Sequence, residues 1–136
     1  MAIDYGTKRT GLAVTDPTKL IATGLVTVST AEAINYIKDY ALMEPIEAFV
    51  IGMPRHLNNT DAAIVPEINQ FINKLQTQFP TVTINTYDER FTSLMAKKSM
   101  IESGQNKKTR RNKSLLDKIS ATILLQSWLE KQQYQK

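Results

Sequence analysis

Met1-Ala-Ile-Asp-Tyr-Gly-Thr-Lys-Arg-Thr-Gly11 is the stretch on which the fold of this chain depends. Its apolar start predicts the end of a buried strand, and Gly6 marks the turn that follows. Asp4 stands at the mouth of this strand, where a sheet would fix its backbone. Such a carboxylate is suited to bind a metal ion or to act as a general base. It is equally suited to a local hydrogen bond with the turn, and this stretch alone leaves both interpretations open.

The composition limits the classes of protein to which the chain can belong. Its 136 residues predict one domain, residues 1–136, long enough to enclose a hydrophobic core. The absence of cysteine excludes disulfides and thiolate metal sites, and a single histidine, His56, excludes a His-rich zinc site within one chain. No apolar run approaches the roughly 20 residues that cross a bilayer, and the N-terminus has no signal-peptide pattern. We therefore expect a cytoplasmic protein with no membrane partner.

Two further strands are predicted directly after the first. They are Thr10–Thr15 and Gly24–Val28, and the short turns between them favour an antiparallel meander. Ser29 followed by Glu32 predicts a helix that begins with a capping box, and Pro45 ends it. The residues expected on the buried side of this helix are Ala33, Ile34, Ile37 and Ala41.

The rest of the chain alternates strands with helices. The apolar run Ala48–Ile51 predicts a strand buried on both faces, and Val82–Thr86 predicts the next strand. Three helices are expected: one after the polar loop Met53–Asp61, one from Thr92 or Ser93 to Ser103, and one from about Ser114 to Gln133. Their predicted core residues are Ile64, Ile68, Phe71, Ile72 and Leu75 in the first, and Leu116, Ile119, Ile123, Leu124 and Trp128 in the last. The predicted fold is α/β, with a five-stranded mixed sheet, three antiparallel strands plus two parallel ones, and helices on both faces.

Three acids are candidates for one pocket. Asp4 and Glu89 both follow strands, and functional groups collect at the carboxyl ends of parallel strands. Asp117 lies in a largely apolar helical segment, where a lone carboxylate is costly unless a cation balances it. A metal ion would supply that cation, and the alternative is a surface ion pair with Lys113 or Lys118.

Carboxylates without histidine or cysteine suit a hard cation, so Mg²⁺ or Mn²⁺ is the expected cofactor. Two such ions, present with substrate, can activate a water and stabilise the leaving oxygen of a phosphodiester. A basic window opposed only by Glu102 is typical either of a phosphate-binding surface or of a solvated one. Its members are Lys97, Lys98, Lys107, Lys108, Arg110, Arg111 and Lys113. Acids for a metal and bases for phosphate together indicate a phosphodiesterase acting on nucleic acid.

Several blocks of sequence carry a resemblance to a known family. They are Ile3-Asp-Tyr-Gly-Thr-Lys-Arg-Thr-Gly-Leu-Ala-Val-Thr-Asp-Pro17, Val50-Ile-Gly-Met-Pro54, Asp88-Glu-Arg-Phe-Thr92, Leu116-Asp-Lys-Ile-Ser-Ala121 and Leu124-Leu-Gln-Ser-Trp-Leu129. In this order and spacing they resemble the YqgF (RuvX) family, whose members have a ribonuclease H-like fold related to the RuvC resolvases. The resemblance covers nearly the whole chain.

The resemblance implies a function and a catalytic set. The family's catalytic acids carry over onto Asp4, Glu89 and Asp117. The family is described as processing the 5′ end of pre-16S ribosomal RNA in the bacterial cytoplasm, and resolvase activity on four-way DNA junctions is also attributed to it. The loop Met53–Asp61 departs from the family pattern, with Asn58-Asn59 in place of an Asp-Gly pair, which leaves its substrate contacts open.

Other cations are candidate contacts to nucleic acid. Lys8 and Arg9 follow the first turn, where they could contact a phosphate near Asp4 or form ordinary surface charge. Arg90 lies beside Glu89 and either binds phosphate or orients that acid.

The loop residue Arg55 is a further phosphate candidate, whereas its neighbour His56 is expected at the plain surface. Asp88 is expected to be a turn or cap acid rather than a ligand. Trp128 is expected in the core rather than as a base-stacking platform.

Four functions remain open on the sequence. The first is a metal-dependent endonuclease of ribosomal RNA maturation, and the second is a resolvase, which needs a two-fold dimer to cut symmetric strands. The third is a catalytically silent nucleic-acid-binding module, and the fourth an actin-like ATP binder, for which one domain is too small. We expect a monomer or weak homodimer that acts on pre-rRNA, on ribosomal particles or on branched DNA.

Overall fold

The elements of the fold alternate as the sequence predicted. The computed structural model of the protein describes residues 1–54, 59–88 and 113–134. The strands are β1 (Ala2–Asp4), β2 (Arg9–Thr15), β3 (Ala22–Ser29), β4 (Ala48–Met53) and β5 (Thr83–Asp88). The helices are α1 (Ala33–Met43), α2 (Asn59–Gln78) and α3 (Lys113–Tyr134), and a short 3-10 helix (Thr30–Glu32) precedes α1.

All five strands belong to one mixed sheet in the order β3-β2-β1-β4-β5. The pairs β1–β2 and β2–β3 are antiparallel, whereas β1–β4 and β4–β5 are parallel. The predicted meander of three strands followed by two parallel strands is therefore confirmed, and it agrees with a ribonuclease H-like fold.

The shortest strand lies at the centre of the sheet. β1 has three residues, and Ile3 is paired with Leu12 on one side and Ile51 on the other. All three of these side chains are fully buried. The C-terminal residue of this strand, Asp4, is therefore held by a backbone that is fixed from both sides.

Helices cover both faces of the sheet, as predicted. On one face α1 and α2 pack against a core that contains Ile3, Leu12, Ala33, Ile37, Phe49, Ile51, Ile68, Phe71 and Leu75. On the other face α3 packs against a core that contains Ala2, Ala13, Val50, Ala121, Leu124, Leu125 and Leu129. Because successive strand residues point to opposite faces, Ala2 and Asp4 lie on the α3 side, and Ile3 lies on the side of α1 and α2.

The predicted capping box at Ser29 is wrong. Ser29 is still extended, pairs with Arg9 in the sheet, and makes no side-chain cap bond. A 3-10 helix follows it, and the backbone N–H of Thr30 donates to the carbonyl of Lys8 at 3.0 Å. The carboxylate of Glu32 instead accepts a hydrogen bond from Asn35.

The buried side of α3 also differs from the prediction. Leu124 is buried as expected, but Leu116, Ile119, Ile123 and Trp128 are only half-buried, with Trp128 packed at the edge of the core. The helix meets a sheet surface of small residues, so small side chains such as Ser120 face it and the helix comes close. Large apolar residues at the flanks of the contact are then left partly exposed.

Some boundaries move as well. β3 begins before and ends after the predicted Gly24–Val28, β5 runs to Asp88, and α2 begins at Asn59 inside the predicted loop. The helix predicted up to Ser103 lies outside the described residues. None of the helices described here is long and apolar enough to span a membrane.

Candidate active site

Asp4 is half-buried at the end of β1, on the face that α3 covers. Its cross-strand partner in β2 is Gly11. Residues that are directly opposite in an antiparallel pair have neighbouring side chains on one face of the sheet. The group that covers Gly11 therefore lies beside Asp4.

The group that covers Gly11 is the backbone of Asp117. A Cβ atom at Gly11 would lie 2.3 Å from the carbonyl oxygen of Asp117 and 2.6 Å from its carbonyl carbon. Real Cβ atoms essentially never come so near, so this crossing of α3 over β2 requires glycine. Asp4 and Asp117, 113 positions apart in sequence, are thus brought to one place.

The carboxylate of Asp117 forms an ion pair with Arg9. The guanidinium Nε donates to Oδ2 at 3.1 Å, and the two side chains are 38% and 25% exposed, respectively. Arg9 lies two residues before Gly11, so it is on the same face of β2 and reaches the first turn of α3. The partners considered for Asp117 from the sequence, Lys113 and Lys118, did not include Arg9, because the strand and the helix are distant along the chain.

The turn between β1 and β2 is held by Thr30. Its hydroxyl donates to the carbonyl of Gly6 at 2.5 Å and accepts from the buried hydroxyl of Thr10 at 2.8 Å. Its backbone N–H bonds the carbonyl of Lys8. Three hydrogen bonds to one residue therefore fix the turn that joins Asp4 to the cations after it.

Helix α2 holds the same turn from the other side. The carboxylate of Glu67 accepts a hydrogen bond from the hydroxyl of Thr7 at 3.1 Å and a longer one from Tyr5 at 3.4 Å. The Tyr5 ring packs on Phe71 at 5.2 Å between centroids. Burial, followed by the charge of Glu67 and its hydrogen bond, raises the pKa of Tyr5. Tyr5 therefore remains a neutral anchor.

Asp88 does not join the pair of acids. It is the last residue of β5 and is paired with Met53, whose side chain packs on the core beneath α1 and α2. The preceding residue, Tyr87, packs on the α3 side, with the ammonium of Lys131 at 5.6 Å from its ring centroid. Alternation along the strand thus directs Asp88 to the face opposite to Asp4, and Asp88 is the last residue of the strand rather than part of the predicted turn.

Two of the other predicted site residues, Lys8 and Lys113, belong to the part of the chain that the structure describes. Lys8 is exposed in the turn beside Arg9, and Lys113 begins α3. The following lie outside the described residues: Glu89, Arg55, His56, Arg90, Lys107, Lys108, Arg110 and Arg111. Within residues 1–54, 59–88 and 113–134, no group of three or more His, Cys, Asp or Glu side chains is placed to hold a metal ion. Of the three candidate acids, Asp4 pairs across the sheet with the glycine that the backbone of Asp117 covers, and the third, Glu89, follows Asp88 directly in sequence.

Sequence reasoning missed three residues that build the site: Gly11, Thr30 and Glu67. A glycine inside a predicted strand is a signal of close backbone approach, so Gly11 could have been found. Thr30 and Glu67 act through contacts between distant segments, for which one sequence gives no signal.

Comparison with known proteins shows similarity along nearly the whole chain. Residues 1–131 match the family described as "RuvX: Holliday junction resolvase". The chain is 47% identical over 134 residues to a Bacteroides thetaiotaomicron protein named "Putative pre-16S rRNA nuclease", covering 98% of this chain and 97% of the relative. Proteins with the same name in Porphyromonas gingivalis and Christiangramia forsetii are each 48% identical, over 130 and 129 residues. Those matches cover 96% and 95% of this chain, and 94% and 96% of the relatives, respectively.

Proposed function

Because the chain belongs to the RuvX family, we propose that it is a divalent-metal-dependent nuclease that cleaves precursor 16S ribosomal RNA at its 5′ end. The observation that supports the proposal is that the backbone of Asp117 crosses directly over Gly11, the cross-strand partner of Asp4. Two acids from opposite ends of the chain share one face of the sheet, next to the cation Arg9. The names of the similar proteins supply the substrate class.

The described donors fit a hard divalent cation. Mg²⁺ is bound in proteins through one or two carboxylates, with water and substrate phosphate as its other ligands. Asp4 and Asp117 supply two carboxylates, and we assign Glu89 as the third ligand. When bound, Mg²⁺ or Mn²⁺ would activate a water and stabilise the leaving oxygen of the phosphodiester, and two ions would do so from both sides.

The residues around Asp4 would hold the reacting groups in place. The central strand and the Thr30 hydrogen bonds hold Asp4 and the following turn, so little reorganisation is needed when substrate arrives. Lys8, exposed in that turn, and Arg9, at the start of β2, are the cations nearest to Asp4 in sequence and would bind the RNA backbone. The basic window from Lys107 to Lys113, together with Arg55 and Arg90, would extend this contact.

The test is cleavage of a structured RNA that contains the 5′ end of the precursor, with Mg²⁺ or Mn²⁺. We expect Asp4→Asn and Asp117→Asn each to lower the cleavage rate by at least about 100-fold, because even outer-shell partners of a metal site are worth 10–100-fold. Asp88→Asn is the matched control, since it removes the same charge from the end of β5, two strands away from β1 and on the other face of the sheet. Full activity in Asp4→Asn or in Asp117→Asn would refute the assignment.

The contribution of the basic window is tested separately by salt dependence. Replacing Lys107, Lys108, Arg110 and Arg111 with glutamine should weaken RNA binding. The slope of log affinity against log salt should become shallower by about 0.7 for each lost contact to a single strand. An unchanged slope would show that these side chains do not touch the RNA backbone.

The description of the matched family supports a second candidate, cleavage of four-way DNA junctions. The chemistry is the same, but a resolvase cuts two symmetric strands and needs a two-fold dimer. Sedimentation with and without junction DNA separates the two functions. A protein that cleaves RNA and sediments as a monomer both with and without junction DNA favours the ribosomal role. A dimer that forms on junction DNA favours cleavage of four-way junctions.

Calorimetry of metal binding tests the remaining alternative, a catalytically silent binding module. Calorimetric binding of Mn²⁺ that is lost in Asp4→Asn would support a metal site. Salt-sensitive RNA affinity with no binding of Mn²⁺ or Mg²⁺ would identify a binding module instead.

A further inference from the structure

We propose that Arg9 is a positioning residue that neutralises Asp117 in the metal-free protein and exchanges this carboxylate for RNA phosphate when a divalent ion binds. The inference rests on the proposed nuclease function, because it assumes that Asp117 is a metal ligand. It assigns to one cation two alternating partners, Asp117 and the substrate.

The first argument is the geometry of the ion pair. Arg9 donates through Nε to a single carboxylate oxygen, Oδ2 of Asp117, at 3.1 Å. A guanidinium carries five N–H donors, so this contact leaves the four Nη hydrogens for other acceptors. Arg9 can therefore bond a phosphate through Nη while Nε still touches the carboxylate. To complete the exchange, the side chain then rotates away from Asp117 without any movement of the backbone.

The second argument is the contrast between a fixed backbone and an accessible side chain. Arg9 is the first residue of β2, where it pairs with Ser29, and the carbonyl of its neighbour Lys8 is bonded by Thr30. Its side chain is nevertheless 38% exposed, against 25% for Asp117. The backbone thus delivers the guanidinium to a defined place, and solvent leaves room for it to turn toward a substrate.

The third argument is electrostatic. A monovalent cation beside a carboxylate lowers the cost of collecting negative charge at the site, but it repels a divalent ion at the same carboxylate. In surroundings of high dielectric, loss of such a neighbouring charge strengthens divalent binding by roughly 10-fold. Arg9 therefore opposes the metal when RNA is absent, and releases this opposition when a phosphate accepts its guanidinium.

The experiment compares three variants in two measurements: calorimetric titration of the metal-free protein with Mn²⁺, and the Michaelis constant for RNA at saturating Mn²⁺. Arg9→Gln should bind Mn²⁺ roughly 10-fold more tightly and have a KM for RNA roughly 10-fold higher. Lys8→Gln is the matched control for the Mn²⁺ titration alone, because it removes the same charge from the adjacent exposed residue, and it should change Mn²⁺ affinity by less than about 2-fold. Arg9→Lys keeps the charge and should retain Mn²⁺ affinity to within about 3-fold.

Opposite signs in the two measurements distinguish this role from a merely structural one, since damage to the fold would weaken both metal and RNA binding. The inference is overturned if Arg9→Gln binds Mn²⁺ no more tightly than Lys8→Gln, or if its KM for RNA is unchanged. Failure of the proposed function has a different signature, namely wild-type protein that binds no Mn²⁺ at all. That result would overturn this inference as well, because the inference assumes that Asp117 binds the metal.

Discussion

Replacing Gly11 with alanine would test the close crossing of α3 over β2, on which the candidate site depends. The new Cβ would lie 2.3 Å from the carbonyl oxygen of Asp117, whereas ordinary contact begins at 3.4 Å. The obstructing atoms belong to the helix backbone, so no side-chain rotation can relieve the clash. We therefore expect the first turn of α3 to move away from the sheet by about 1 Å.

The expected cost follows from this displacement. Overpacking of a core costs about 1–3 kcal/mol, and a clash with backbone places Gly11→Ala near the upper end, at about 3 kcal/mol. For a domain of this size, that corresponds to a decrease in Tm of roughly 10 °C. A misplacement of about 1 Å in a catalytic group can also cost about 100-fold in rate, so the folded fraction should be a poor nuclease.

Gly24→Ala is the matched control, because Gly24 lies under the same helix. Its Cβ would meet side-chain atoms instead, Cγ of Lys118 at 2.8 Å and Oγ1 of Thr122 at 2.9 Å, and these can move. We expect a cost of about 1 kcal/mol for this variant. Urea unfolding of the two variants and the wild type gives the free energies directly. A difference between the variants below about 0.5 kcal/mol would refute the reasoning from close packing.

Three further predictions concern the supports of the fold. Thr30→Val removes the hydroxyl that satisfies the Gly6 carbonyl and should cost about 1–2 kcal/mol in urea unfolding, most of which Thr30→Ser should restore. Asp16 accepts hydrogen bonds from the Thr18 hydroxyl and from backbone N–H groups, which lower the pKa of its carboxyl to about 2. Its contribution to stability is therefore present above about pH 4 and lost as the pH falls through about 2, so the deficit of Asp16→Asn at pH 7 should shrink in acid; a constant deficit would contradict this. Leu124→Ala opens a cavity between α3 and the sheet and should cost about 2–5 kcal/mol, measured by thermal unfolding, with an unchanged Tm as the contrary result.

The sheet could be predicted from the sequence because its signals are local. The apolar run from Ala48 to Ile51 and the short turns around β2 specify strands through burial and spacing, and both strands formed as expected. The capping box at Ser29 failed because the sheet continues through this residue, and the Lys8 carbonyl satisfies the backbone N–H that follows it. Hydrogen bonds to a distant strand therefore determine where this helix begins, and a local sequence motif carries no information about them.

The residue types of the candidate site could be predicted from the sequence, but their arrangement could not. An acid at the end of a strand and another on an apolar helix are visible in the sequence as Asp4 and Asp117. The partner of Asp117 was not, because the contact with Arg9 depends on how α3 crosses the sheet. The small residues Gly11 and Ser120 permit that crossing. Helical spacing of apolar residues in the sequence instead predicts that large side chains form the contact.

The position of α3 at residues 113–134 has a consequence for biosynthesis. Each strand of the sheet leaves the ribosome before α3 does. Ala2, Ala13 and Val50, which α3 buries in the folded protein, therefore stay exposed until this helix is synthesised. Asp4 likewise meets Asp117 only after translation has passed through the helix. A nascent or prematurely terminated chain that ends before residue 117 therefore lacks one of the two acids of the candidate site and the helix that covers this face of the sheet.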